Sequence, residues 1–102
     1  MNDAVAKAQV FIDSVRNSGV VVSHASVFGS WAKGTADGES DIDVCIVSPN
    51  FGKDYIAEMV SLRKISLSID SRIEPIPLTP EDFTDPYGTL ASQIRKYSLP
   101  LK

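Results

Sequence analysis

The sequence predicts a small mixed α/β (α+β) domain in which a β-sheet is flanked by helices. The chain has 102 residues, enough for one hydrophobic core, so we expect a single domain over residues 1–102. Its composition, with 43% apolar and 23% charged residues, is typical of a globular protein. Helical and strand-like segments follow one another in the order helix, strand, strand, helix, strand, helix, which favours a mixed sheet covered by helices.

The first half of the chain contains one helix and two strands. The first segment, 3–17, places five apolar residues on one helical face, with Asn2 or Asp3 as its cap and Gly19 at its end. Residues 20–28 begin with a β-branched run and continue with alternation, which predicts a strand. Residues 42–47 predict a second strand, stopped by the turn cluster SPNFG.

The second half predicts two helical regions around a third strand. A helix is expected from residue 54 to about residue 64, continuing into ISLSID before it breaks. Residues 71–78 predict the third strand, and Pro75 and Pro77 place it at a sheet edge because proline has no amide donor. Thr79 and Pro80 begin a short helix, a last helix carries Leu90, Ile94 and Tyr97, and residues 99–101 predict a short extended end.

Charge and composition narrow the function classes. The net charge is −3, so no global basic field holds nucleic acid, and nucleic acid is not indicated as a partner. The single cysteine, Cys45, excludes an internal disulfide and is expected to be packed in the core. The N-terminus has no basic stretch before an apolar one, and no apolar run reaches membrane-spanning length, so we expect a cytoplasmic protein with no membrane contact.

Two aspartates stand at the head of the second strand. Asp41 and Asp43 are two positions apart, so they point to one side of the strand. Two like charges so close raise one carboxyl pKa or destabilise the fold. A bound cation is the simplest compensation, and Mg²⁺ prefers carboxylate oxygen. A lone Asp-x-Asp at a strand edge is more often solvated surface, and the metal interpretation therefore depends on its neighbours.

The neighbour that favours a metal site is Gly29-Ser30, between the first strand and a predicted helical turn. Such a turn presents free backbone amides to an anion, and the Ser30 hydroxyl can add a hydrogen bond. Ten residues separate Ser30 from Asp41, enough to leave one strand and enter its neighbour. A phosphate-binding turn beside a metal-binding pair is the equipment for phosphoryl or nucleotidyl transfer.

A third acid and two further phosphate contacts are less well determined. The candidate acids are Asp70, Glu74, Glu81 and Asp82; we favour Glu74, inside the third strand, with Asp70 second. An inward-facing carboxylate there would be costly without a cation. Lys33 can reach a phosphate or remain solvated, and Ser40 can bind phosphate or cap the loop.

At these residues the sequence resembles the DNA polymerase β-type nucleotidyltransferase superfamily, and within it the minimal nucleotidyltransferases of bacteria and archaea. The matching residues are GS at 29–30, DID at 41–43 and RIEPIP at 72–77. The resemblance implies that Gly29 and Ser30 hold the triphosphate of the nucleotide, and that Asp41 and Asp43 bind two divalent ions, expected to be Mg²⁺. Glu74 would complete the catalytic and metal site, although the third acid of the family is often Asp.

The resemblance also implies an activity and a partner. AMP from ATP would be transferred to a hydroxyl, and because nothing in the chain matches an acceptor-recognition domain, a partner would supply the acceptor. Minimal members of the superfamily are often found beside a small helical toxin protein encoded nearby, on which they act as antitoxin. Two alternatives stay open: a non-catalytic binding module that neutralises or scaffolds a partner protein, and a small-molecule (antibiotic) nucleotidyltransferase. The sequence also leaves open whether the chain forms a homo-oligomer.

Overall fold

The N-terminal helix is built on the face that the sequence predicts. A computed structural model describes residues 3–102, so the predicted cap at Asn2 lies outside the described residues. Helix α1 spans Asp3–Asn17 and ends before Gly19, whose φ is +101°. Its buried side chains are the five expected from the helical spacing: Ala4, Ala8, Phe11, Ile12 and Val15.

The elements that follow alternate between strands and helices. Strand β1 (His24–Phe28) leads through the single helical turn α2 (Ser30–Lys33) to strand β2 (Ile42–Val47). Helix α3 (Tyr55–Leu67) and strand β3 (Ile73–Leu78) come next. The chain then forms helices α4 (Pro80–Thr84) and α5 (Thr89–Lys96) and strand β4 (Ser98–Pro100).

Within residues 3–102 the strands form one four-stranded mixed sheet in the order β3-β2-β1-β4. β1 runs antiparallel to both β2 and β4, whereas β2 and β3 are parallel. The position of β3 at an edge confirms the prediction from its two prolines. The amides of Ile42 and Ser48 donate to the carbonyls of Arg72 and Leu78, at 2.8 and 3.0 Å, so β3 pairs with β2 through its even-numbered residues. The backbone nitrogens of Pro75 and Pro77 therefore face the unpaired edge, while their side chains are buried.

Alternation of side chains along the strands gives the sheet two different faces. One face packs against α1 and α3 and forms the main core, which includes Val27, Val44, Ile46, Ile73 and Leu62. The opposite face holds a smaller cluster in which Ile94 of α5 packs on Phe28, Cys45 and Val47. Burial raises the pKa of the Cys45 thiol to about 12, so this cysteine is a packed side chain, as expected.

The boundaries of two strands differ from the sequence prediction. β1 begins at His24 rather than at residue 20, because the Val21 amide donates to the Asn50 side chain, at 2.8 Å, instead of joining the sheet. β3 begins at Ile73 rather than at residue 71, because the Arg72 amide donates to the Asp70 carboxylate, at 2.9 Å, in a side-chain turn.

Three further predictions are confirmed or extended, whereas Tyr97 lies just after α5 and not within it. α3 continues through Ile65 to Leu67, as the interpretation of ISLSID required. Thr79 caps α4 together with Asp82 in a reciprocal capping box, with Pro80 in its first turn. The C-terminal extended segment is part of the sheet, since β4 pairs with β1 over Ser98–Pro100. In the part of the chain that is described, no helix is both long and apolar enough to span a membrane.

Candidate active site

The turn after β1 brings a glycine against an acid of the next strand. Gly29 has φ +73° and ψ −145°, a backbone conformation that residues other than glycine rarely adopt. A Cβ atom added there would collide with a carboxylate oxygen of Asp43. The chain then enters α2 at Ser30, as the sequence predicted. Gly29 and Asp43, which are 14 positions apart in sequence, are therefore neighbours in space.

The antiparallel register of β1 and β2 explains this contact. Phe28, the last residue of β1, lies opposite Asp43. Asp41 lies just before β2, exposed, and two positions from the half-buried Asp43. Burial raises the pKa of the Asp43 carboxyl, and the charges of Asp41 and Glu74 raise it further. The predicted crowding of acids at the head of this strand is thus present.

Glu74 is brought to the same place by the parallel pairing of β2 with β3. It lies opposite Asp43 in the register, so both side chains leave the same face of the sheet. One carboxylate oxygen, Oε1, is 3.1 Å from Nη1 of Arg63 on α3. Among residues 3–102, no three Asp, Glu, His or Cys side chains are close enough together to hold a metal ion as they stand. The two aspartates and Glu74 are therefore neighbours whose carboxylates do not converge on one point.

The other candidate acids have different partners. Asp70 forms an ion pair with Arg72 at 2.7 Å, and Arg72 also contacts Asp3 at 3.2 Å. The hydrogen bonds from Arg72 lower the pKa of the Asp70 carboxyl to about 2. Asp82 is used in the cap of α4, and Glu81 is exposed on the same helix. Glu74, and neither of the α4 acids, is the one that β3 places opposite Asp43.

The two further nucleotide contacts suggested by the sequence, Ser40 and Lys33, have local partners. The Ser40 hydroxyl accepts the Asp37 amide at 3.0 Å, which matches the loop-capping alternative. Lys33 is exposed, and its Nζ lies 5.7 Å from the centre of the Tyr97 ring. Their roles in nucleotide binding stay predictions.

Arg63 is the residue near these acids that the sequence reasoning missed. Its Nη1 also donates to the Ile73 carbonyl at 2.9 Å, so it joins α3 to the outer edge of β3. No local pattern marks it, because it lies ten residues before Ile73 on a different element. The sequence offers one general reason to expect such a residue: a carboxylate on an edge strand, such as Glu74, favours a basic side chain nearby.

The candidate site thus consists of a glycine–serine turn after one strand, an acid of the antiparallel neighbour that lies against this turn, and a third acid on the parallel edge strand. The chain belongs to the nucleotidyltransferase domain family, whose family model matches residues 10–95. Its four-stranded mixed sheet flanked by helices is the fold of this family. No curated protein matches the sequence significantly.

Two solved structures share the fold. A chain in a crystal structure of a toxin–antitoxin with AMP-PNP superposes with a TM-score of 0.67 at 21% identity, over 92% of this chain and 72% of that one. A proposed nucleotidyltransferase from Sulfolobus solfataricus superposes with a TM-score of 0.56 at 19% identity, over 80% of this chain and 79% of that one. At these identities the likeness establishes the fold.

Proposed function

We propose that this protein transfers a nucleoside monophosphate, AMP from ATP, to a hydroxyl group of a partner protein in a reaction that needs Mg²⁺. The observation on which this mainly rests is the close approach of Gly29 to the Asp43 carboxylate. It brings a backbone turn suited to phosphate beside the acids suited to a metal, at the end of one sheet.

The acids fit a divalent cation by their chemistry. Asp41, Asp43 and Glu74 offer carboxylate oxygens, the ligands that Mg²⁺ prefers. The half-buried Asp43 feels the negative charge of both other acids, which a cation would neutralise. Mg²⁺ held by these acids would supply positive charge to the phosphates during transfer. We propose that two ions bind, the number that the resemblance implies.

The residues of the turn would hold the nucleotide. The amide groups at Gly29 and Ser30 would bind the triphosphate, with the Ser30 hydroxyl as a further donor. The acceptor oxygen attacks the α-phosphorus and gives up its proton to the Glu74 carboxylate, while the bond from that phosphorus to the bridging oxygen of the leaving pyrophosphate breaks. The nucleoside monophosphate then remains on the acceptor oxygen.

A surface next to Glu74 is available for the acceptor protein. A cleft of about 230 Å³ is lined by Met59, Val60, Arg63 and Glu74. Val60 also belongs to an apolar stripe at helical spacing on α3, which extends past the cleft in both directions: Ile56, Val60 and Leu67 are 74%, 49% and 55% exposed. An exposed apolar stripe is suited to a protein contact. The toxin–antitoxin neighbour with AMP-PNP supports a partner protein and an adenine nucleotide.

Calorimetry with ATP and Mg²⁺ tests the assigned site. We expect wild-type binding to require the metal and to be lost in the double variant Asp41→Asn/Asp43→Asn. The matched control is Asp13→Asn/Glu81→Gln, which removes two charges from exposed positions on α1 and α4. Equal nucleotide binding by wild type and the Asp41/Asp43 variant would refute the site.

The acceptor is tested by mass spectrometry after incubation with ATP, Mg²⁺ and the product of the adjacent gene. Addition of one AMP to that protein supports the proposal. Ile56→Asp/Leu67→Asp should reduce this transfer while nucleotide binding is unchanged, because neither residue lines the cleft beside Glu74. Val10→Asp, at a 51% exposed position on α1, is the control.

The same exposed stripe favours a second function, that of a binding module which neutralises its partner by contact alone. In that case the partner would bind and gain no mass. The Asp41→Asn/Asp43→Asn variant would then neutralise the partner as well as wild type does, whereas the enzymatic proposal requires that it fail.

A further inference from the structure

The ion pair between Arg63 and Glu74 joins helix α3 to the third acid of the candidate site. The two side chains are 3.1 Å apart and are each more than a third exposed, at 39% and 37%. Arg63 is held in place by a second contact, its hydrogen bond of 2.9 Å to the Ile73 carbonyl. A guanidinium is therefore fixed at one oxygen of the carboxylate that is proposed to bind metal.

The edge position of β3 explains why an arginine lies there. Pro75 and Pro77 remove the amide donors from the outer side of this strand, while its outward carbonyls remain. Arg63 supplies a donor to one of them, the Ile73 carbonyl. The same side chain offsets part of the charge of Glu74, which adds to that of Asp41 and Asp43.

We propose that Arg63 is the internal counter-charge of the acid cluster formed by Asp41, Asp43 and Glu74, an inference that rests on the proposed function. A divalent cation that binds Glu74 must then displace the Arg63 guanidinium from it. Arg63 thereby sets the affinity of the site for metal. Without the cation, the guanidinium stabilises three neighbouring carboxylates on one sheet. With the cation, the ion pair opens and Glu74 turns to join Asp41 and Asp43.

The strength of the pair makes such an exchange feasible. Ion pairs at this exposure contribute about 0.2–1 kcal/mol, equivalent to a factor of about 1.4 to 5 in a binding constant. A dication carries twice the charge of a guanidinium and interacts with all three acids. The pair therefore weakens metal binding by a small, measurable factor and does not prevent it.

The test is titration of Mn²⁺ by calorimetry, without nucleotide, on wild type and five variants of the full chain. Arg63→Gln removes the charge and keeps an amide that can donate to the Ile73 carbonyl. Arg63→Lys keeps the charge. Glu74→Gln alone and together with Arg63→Gln completes a double-mutant cycle. Arg16→Gln is the matched control, since Arg16 pairs with Asp13 on α1 at 3.6 Å and has a similar exposure of 37%.

We expect Arg63→Gln to bind Mn²⁺ about 1.4- to 5-fold more tightly than wild type. Arg63→Lys and Arg16→Gln should bind as wild type does. In the Glu74→Gln background, Arg63→Gln should make no further difference. Thermal melts of each variant confirm that folded protein is compared.

Three results would overturn the inference: unchanged or weaker binding in Arg63→Gln, the same tightening in Arg63→Lys, or a tightening that persists in the Glu74→Gln background. These differ from failure of the proposed function. If wild type binds no Mn²⁺ that depends on Asp41 and Asp43, the metal site itself is refuted, and this inference with it. Metal binding by wild type without any response to Arg63 refutes only the role of Arg63.

Discussion

Replacement of Gly29 by alanine is the most informative perturbation of the site. The backbone there, φ +73° and ψ −145°, is strained for any residue with a Cβ atom, at a cost of about 1–3 kcal/mol. For a domain of this size, 2 kcal/mol corresponds to a fall in melting temperature of about 8–16 °C. The new methyl group would also occupy the space of the Asp43 carboxylate. This carboxylate is the end of a side chain that can rotate, so it moves aside.

The control is Gly34→Ala, which separates backbone strain from the displacement of Asp43. Gly34 also has a positive φ, +77°, but a Cβ added there meets nothing within 4 Å. Its left-handed backbone costs about 1–2 kcal/mol for alanine. Both variants should therefore lose stability in thermal melts. Only Gly29→Ala should also lose metal and nucleotide binding, measured by calorimetry at a temperature where both variants are folded.

Two results would refute this reasoning. If Gly29→Ala binds Mg²⁺ and ATP as tightly as Gly34→Ala does, Asp43 is not the acid that lies against this turn in the functional state. If Gly29→Ala melts with wild type, the backbone at residue 29 does not hold the positive φ from which the strain was calculated.

Three further predictions concern stability and can be checked by urea denaturation. Burial lowers the pKa of His24 from 6.5, so below that pH the unfolded chain binds more protons than the folded one. The free energy of unfolding should therefore fall as pH drops below about 6.5, and His24→Phe should remove this part of the pH dependence. The pKa of Asp70 is lowered from 3.8 to about 2 by Arg72, so its contribution is present above pH 3.8 and lost as pH falls towards 2; Asp70→Asn should flatten the profile in that window. Ile12→Ala, at a fully buried position, should cost about 2–5 kcal/mol, whereas Val10→Ala, half exposed on the same helix, should change stability by less than about 0.5 kcal/mol.

The sequence predicted the elements whose signal is local. Helical spacing identified the buried face of α1, and a β-branched apolar run identified β2 with both of its ends. The third strand was placed at an edge because proline lacks a donor, a property of the residues themselves. The Gly29-Ser30 turn and its proximity to the aspartates also followed from residue type and spacing.

Features that depend on contacts distant in sequence were not predictable in the same way. β4 has only three residues, one of them proline, and becomes a strand because β1 offers it a free edge. The start of β1 was misplaced because the side chain of Asn50 takes the Val21 amide. Arg63 was missed because its partner Glu74 belongs to another element, and nothing near Arg63 in sequence indicates the pair.

The prolines of β3 determine more than the edge of the sheet. With Pro75 and Pro77 unable to donate, only the side of the strand that carries the amides of its even-numbered residues can pair fully with β2. A residue in a β-strand points its amide toward one neighbouring strand and its side chain toward one face of the sheet. For L-residues and a fixed strand direction, the first of these determines the second. Glu74 must therefore leave the sheet on the face that Asp43 occupies, opposite the face that packs against α1 and α3. By restricting the side on which β3 can pair, the two prolines thus determine the face of the sheet on which the third acid of the candidate site lies.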